Sequence, residues 1–192
     1  MPPGGTRRLA LRPLTADDVD LLVALDADPE VMRYLTGGRP TPRPEVEATV
    51  RASLGHRWIA TERATGAFVG WFALRPTGDR ERELGYRLVR SAWGRGLATE
   101  GARALVVSAF DHDVDRVWAQ TMAVNLASRR VLERCGLRDV RTVHLDWPDP
   151  IEGSELGDVE YERLRTRSPA SPSEPTRCGP AAPPTPPAAR GR

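Results

Sequence analysis

Three observations predict a mixed α/β fold for this chain. Stretches in which apolar residues alternate with polar ones, such as Glu83 to Val89, are interleaved with stretches of helical recurrence, such as Ala98 to Phe110. Turn and cap residues fall at the changes of period. The elements then come in the order strand, two or more helices, three strands, helix, strand, helix, two strands, within one domain's length from Thr6 to Arg165.

Arg8 to Leu14 predicts the first strand, ended by Pro13. Thr15 can cap a helix whose first turn carries Asp17 and Asp18, the charge that a helix N-terminus favours, and Val19, Leu22, Val23 and Leu25 supply its apolar side. Asp28-Pro29 restarts the chain; Val31 to Leu35 predicts a short helical piece broken by Gly37-Gly38, and Pro44 to Leu54 another helix with Val46 and Val50 one turn apart. Trp58 to Thr61 and Ala67 to Leu74 read as strands with the hairpin signal Thr65-Gly66 between them, and Pro76 to Arg82 as a polar loop.

Glu83 to Val89 is the central strand, with Leu84, Tyr86 and Leu88 on one face and Glu83, Gly85, Arg87 and Val89 on the other. The period then changes, and Ala98, Ala102, Leu105, Val106, Ala109 and Phe110 mark a helix. Arg116 to Met122 is a strand, Ala127 to Cys135 a helix stopped by Gly136. Val140 to Trp147 and Val159 to Arg165 form a last pair of strands joined by the loop Pro148 to Asp158. Residues 1–5 are expected to be a flexible N-terminus. Eight prolines between Ser168 and Arg192, with few large apolar residues, predict a disordered tail over 166–192; Pro183 to Pro187 is also read as a proline-rich ligand.

Composition narrows the function. A hydrophobic fraction of 40% and a mean hydropathy of −0.44 describe a soluble globular protein, with no run long enough to span a membrane and no signal peptide, so a cytoplasmic protein is expected. The net charge of +2 and the absence of a basic run argue against a nucleic-acid partner. All 28 basic residues are arginine, which removes the lysine-dependent GxxxxGK(S/T) phosphate loop. Cys135 and Cys178 read as reduced thiols, and His56, His112 and His144 lack metal-ligand spacing, so no metal is expected.

Between the central strand and its helix lies Trp93-Gly94-Arg95-Gly96-Leu97. Two glycines allow the backbone to turn its N–H groups toward one point at a helix N-terminus, where unpaired donors and the dipole favour an anion. Trp93 to Ala98, followed by Thr99-Glu100, resembles the (Gln/Arg)-x-x-Gly-x-(Gly/Ala) pyrophosphate loop of the GNAT N-acetyltransferase superfamily, in the WGxGxATE form of its RimJ/RimL-like branch, with Trp93 replacing the first polar residue. Asn125-Leu126-Ala127-Ser128 resembles the Asn-x-x-Ser of the same branch.

The resemblance implies the GNAT fold, a central, mostly antiparallel twisted sheet flanked by helices, and acetyl-CoA as co-substrate. It places the pantetheine arm on the backbone of Leu88 and Val89, and the pyrophosphate on Trp93, Gly94, Arg95, Gly96, Leu97, Ala98 and Thr99. Arg90, Arg129 or Arg130 would meet the other phosphate, and the Asn125 amide would contact the cofactor. Ser128 shares a helical face with Val131, Leu132 and Cys135, so its hydroxyl is expected to point inward, as a proton donor to the leaving thiolate. Glu83 is the candidate base, with Asp146 and His144 as rivals.

Asp146, Asp149, Glu152, Glu155 and Asp158 crowd the last loop, either to attract a cationic acceptor or as a solvated acidic loop. The implied reaction is direct acetyl transfer to a primary amine in a ternary complex, with a peptide N-terminus as one acceptor. The alternatives are a small-molecule amine acetyltransferase, aminoglycoside or polyamine-like, and a non-catalytic acyl-CoA-binding domain; a nucleotide-binding module unrelated to CoA is more distant. Homodimers are frequent in the family.

Overall fold

The computed structural model describes residues 5–144 and 149–166. The expectations for 1–4 and for the tail from 167, and the candidate Asp146, lie outside these residues.

The chain begins with strand β1 (Leu9–Pro13). A 3-10 turn over Ala16–Asp18 leads into helix α1 (Val19–Asp26). Asp18 ties this entry together: its Oδ2 accepts from Thr15 N at 2.8 Å and from the Thr15 hydroxyl at 3.0 Å, and its Oδ1 pairs with Arg12 at 2.5 Å. The Arg12 hydrogen bond holds this buried carboxyl below its ordinary range. Helix α2 (Pro29–Thr36) is capped by Asp28, which accepts from Glu30 N at 2.9 Å, and ends at Gly37; helix α3 (Arg43–Ala52) follows.

Strands β2 (Arg57–Glu62), β3 (Phe68–Gly78) and β4 (Glu81–Leu88) form a meander, followed by helix α4 (Leu97–Asp111), strand β5 (Arg116–Met122), helix α5 (Leu126–Arg134), strand β6 (Arg138–Val143) and strand β7 (Asp158–Leu164). One element departs from the sequence expectation. The supposed polar loop Pro76 to Arg82 is the extension of β3 and the start of β4, leaving only a tight hairpin between Gly78 and Glu81. Pro76 is tolerated because the ladder shifts register between Pro76 and Gly78, where a missing N–H breaks no regular rung.

Seven strands form one sheet in the order β1-β2-β3-β4-β5-β7-β6, antiparallel at every step except β4 to β5. Alternation along β3 assigns the two faces: Phe72 packs toward α4 and α5 with Leu84, Leu88, Leu105 and Leu132, whereas Trp71 packs toward α1 to α3 with Leu22, Leu25, Val46 and Val50. Helix α4 approaches very closely. A Cβ added at Gly101 would lie 2.3 Å from the Phe72 ring, so only glycine fits there without displacing a fully buried aromatic. Among the described residues no helix is long and apolar enough to cross a membrane.

Candidate active site

The sheet is split at its one parallel step. Among the described residues β4 and β5 pair only at Glu81 with Arg116, Arg82 with Val117 and Glu83 with Trp118, and beyond these β4 has no strand partner on that side, while β5 stays paired to β7 throughout. On the other edge of β4, Val89 N donates to Val69 O at 3.0 Å. By the alternation of an antiparallel ladder, Gly85 and Arg87 also direct their backbone groups to β3, and Tyr86 and Leu88 direct theirs into the gap. The Val89 carbonyl accepts from Ala92 N, so of the expected Leu88–Val89 pair it is Leu88 whose backbone faces the opening.

The gap widens into a cavity of about 820 Å³ that passes through the sheet. Gly94, Gly96, Ala98, Thr99, Asn125 and Ser128 line its α4–α5 side. Glu30, Arg33 and Tyr34 of α2, with Trp71, Glu83 and Arg87, line the other.

At the α4 end the glycine loop is fixed from several directions. Gly94 and Gly96 sit at φ +70° and +75°, where a side chain would be strained. The Trp93 indole donates to Leu88 O at 2.8 Å. The Arg95 side chain turns away from the opening to pair with Glu62, and the Arg95 carbonyl accepts from Arg8 Nη1 at 2.8 Å. Glu100 holds Arg8 in turn, accepting from Arg8 N at 2.8 Å, Arg8 Nε at 2.6 Å and the Thr6 hydroxyl at 2.5 Å. Burial pushes the Glu100 carboxyl up, but these hydrogen bonds outweigh it and hold the group below its usual range. The first helical bond of α4 is Glu100 N to Gly96 O, at 3.1 Å, which leaves the N–H groups of Leu97, Ala98 and Thr99 without helix partners. A cradle of main-chain donors at a fifteen-residue helix fits a diphosphate.

Deeper in the cavity, Ser128 occupies the first turn of α5, and the side chain of Asn125 caps that turn by accepting from Ser128 N at 3.1 Å. Asn125 therefore positions Ser128. The hydroxyl points inward as the helical spacing predicts, and it meets the Tyr86 hydroxyl at 3.0 Å; Tyr86 also reaches Ser128 O at 3.2 Å. Burial pushes the Tyr86 phenol up, so it remains protonated through the physiological range. Either hydroxyl can donate in this contact; with Tyr86 as the donor, the serine hydrogen is free to point into the cavity. The contact of Tyr86 with Ser128 is not legible in the sequence, where Tyr86 reads only as one residue of the core-facing set.

Of the three arginines considered for a phosphate, Arg130 lines the cavity, whereas Arg129 is engaged by the Tyr161 hydroxyl at 2.9 Å and Ala123 O at 3.2 Å, and Arg90 lies exposed on a 3-10 turn. Glu83 lines the cavity at the closed end of the split and is ion-paired with Arg75. His144, just past β6, is exposed. Of the acids of the last loop, Asp149 pairs with Arg39, Glu152 lies 3.6 Å from Arg33, Asp158 accepts from Gln120 Nε2 at 2.9 Å, and Glu155 is exposed. Together with Ile151, which is buried beside Gly37, the Asp149 and Glu152 pairs tie the loop to α2 and the residues just after it.

On the α1–α3 face, Arg57 and Arg87 stack over the Trp71 ring, with guanidinium carbons 4.1 and 5.5 Å from its centroid, and Arg87 pairs with the buried Asp26. Burial, followed by the charge of Arg87, lowers Arg57 to about 10.

Residues 8–138 match the family model described as the acetyltransferase (GNAT) domain. The chain is 36% identical over 179 residues to FsC-acetyl coenzyme A-N(2)-transacetylase of Aspergillus fumigatus, covering 83% of this chain and 75% of that protein. Among solved structures, a GNAT-family acetyltransferase from Bacillus anthracis superposes with a TM-score of 0.72 at 21% identity, covering 84% of this chain and 98% of that one. RimL, a ribosomal alpha-N-protein acetyltransferase in complex with coenzyme A, superposes with a TM-score of 0.68 at 19% identity over 83% and 95% of the two chains. The chain therefore belongs to the GNAT family and is an acetyl-CoA-dependent N-acetyltransferase.

Proposed function

We propose that this enzyme moves the acetyl group of acetyl-CoA onto an amine carried by a small molecule, by direct attack within a ternary complex, using the domain from Thr6 to Arg165. The carrying observation is the cavity that runs through the sheet, with main-chain donors and the Ser128–Tyr86 pair on one side and a chamber of charged and aromatic side chains on the other. The acceptor end is bounded by α2, which is held to the 149–157 loop by Arg33–Glu152 and, just past its end, by Arg39–Asp149. A bounded chamber suits a small acceptor. The relative at 36% identity is named for transfer at an N(2) position, which supports the same choice.

In this reading Leu97, Ala98 and Thr99 N–H hold the diphosphate, Gly94 and Gly96 shape the loop, and Trp93 and Arg95 brace it. Leu88 presents its backbone to the pantetheine arm. The C–S bond breaks toward Ser128, whose hydrogen goes to the sulfur. A peptide N-terminus is the second reading, supported by the RimL-like fold.

Two measurements test this. Acetyl-CoA at about 100 times its Kd should stabilise the protein by about 2.7 kcal/mol, and ATP should not. Thiol release should then be followed over small amines and N-terminal peptides; turnover by peptides alone would reverse the choice of acceptor, and binding without turnover would leave only an acyl-CoA-binding domain.

A further inference from the structure

Four carboxyl groups are buried among the described residues, and three of them have arginine partners. Asp18 has Arg12, Asp26 has Arg87, and Glu160 has Arg116 at 2.6 Å and Arg141 at 2.7 Å. Asp158 differs. It is only 9% exposed, it lines the cavity, and its hydrogen-bond partner is the neutral amide of Gln120. A buried carboxylate without a cation is costly, which is why such groups are nearly always paired. The cation that Asp158 lacks among the described residues is the kind of group an amine acceptor brings.

The position in the sheet agrees. Asp158 faces Met122, four residues along β5 from Trp118, the last residue paired with β4. Counted along β4 from Glu83, that is the level of Arg87, about 13 Å beyond Glu83 itself. Gln120 and Asp158 also alternate with Ala119 and Val159, which pack on the α4–α5 side with Leu132. Their side chains therefore project on the opposite face of the sheet from Ser128. Glu83, in contrast, sits at the closed end and is already paired with Arg75.

We infer that Asp158 receives the ammonium group of the acceptor and takes its proton before attack. The deepened assignment rests on the acetyl-transfer reading of the same cavity. R–NH3+ gives one proton to Asp158; the nitrogen lone pair forms the C–N bond and the C–S bond breaks. The thiolate takes a proton from the Ser128–Tyr86 pair, the second nitrogen proton restores that pair through solvent, and Asp158 releases the first to solvent. The charged groups sharing the cavity are Glu83 and Arg87 of β4, Glu30 and Arg33 of α2, and Arg130 and Arg134 of α5; Glu160 follows on the same face of β7 and His144 stands beside Gly157. Glu83, Arg87, Arg33 and Glu160 each have an opposite charge of their own.

The test is Asp158→Asn, which keeps an acceptor for Gln120. With the amines that wild type turns over, kcat/KM should fall about 10² to 10³-fold at pH 7 and recover in part toward pH 9.5, where free amine is supplied by the solution. The Kd for acetyl-CoA should not change. Asp158→Glu, which keeps the charge, should retain more activity than Asp158→Asn. Wild-type rate and pH profile in Asp158→Asn would overturn the inference. Its melting temperature is a readout independent of the acceptor: removing an uncompensated buried charge should raise it, by a few degrees. A lower value would mean that Asp158 is a structural partner of Gln120 and would also overturn the inference. If wild type released thiol with no amine, the transfer reading would fail by itself, and the melting temperature would still decide the role of Asp158.

Discussion

In the proposed reading, the groups offered to a ligand at the donor end of the cavity are main-chain N–H groups, held by a net of side chains that face away from it: Arg95 to Glu62, Arg8 to Arg95 O, Glu100 to Arg8. At the acceptor end the offered groups are side chains, Tyr34, Trp71, Arg87, Gln120 and Asp158, standing on strands and a short helix. The difference has a consequence for how each end tolerates change. Main-chain donors survive most substitutions, so the donor end keeps one ligand; side chains can be exchanged singly, so the acceptor end can change its amine while the fold stays intact.

The sharpest way to break this contrast is at the boundary between the two ends. Ser128→Ala should lower kcat by about 10²-fold or more for every amine, with the Kd for acetyl-CoA unchanged. Tyr86→Phe should do the same, and the double variant should be little worse than either, because the two hydroxyls act as one pair. Multiplicative losses in steady-state kinetics would show two separate roles.

The next effect is on stability. Gly101→Ala should cost about 1–3 kcal/mol, since its Cβ would enter the Phe72 ring. Thermal melting should show this, with part of the loss restored when Phe72→Leu is added.

A smaller effect is expected in the net behind the cradle. Glu100→Gln should weaken acetyl-CoA about fivefold, or about 1 kcal/mol, with kcat at saturation unchanged, as read by calorimetry and kinetics. Because the folded-state value of Glu100 lies below 4.5, its contribution to stability is present above that pH and is lost as pH falls through the folded value. Wild type should therefore lose stability on acidification more steeply than Glu100→Gln, in denaturation followed from pH 6 to 3. The smallest effect should come from Glu83→Gln. Its partner Arg75 is more than half exposed, and the pair stands at the closed end of the split, so rates should change less than about threefold for any amine. A larger loss, with a shifted pH profile, would return the base to Glu83 and take it from Asp158.

Much of this molecule is determined within short windows of sequence. The cap at Thr15, the glycine stops at Gly37 and Gly136, the period changes around Glu83 and Ala98, and the inward face of Ser128 are all set by residues fewer than eight apart, the range over which backbone sterics and helix geometry act. The hairpin at Gly78 escaped this reading because its strand extensions are polar and solvent-facing, and alternation carries information only where one face is buried.

Three decisions belong to the tertiary structure alone. Strand β7 enters between β5 and β6, β4 parts from β5 after three pairs, and Tyr86 meets Ser128 across 42 residues. Each depends on which surfaces bury each other when the sheet closes, a sum of weak apolar contacts over the whole chain that no local pattern encodes. The partner of Asp158 is of the same kind: the sequence places an aspartate at the start of a strand, and only packing decides that it is buried beside an amide, with no arginine paired to it among the described residues.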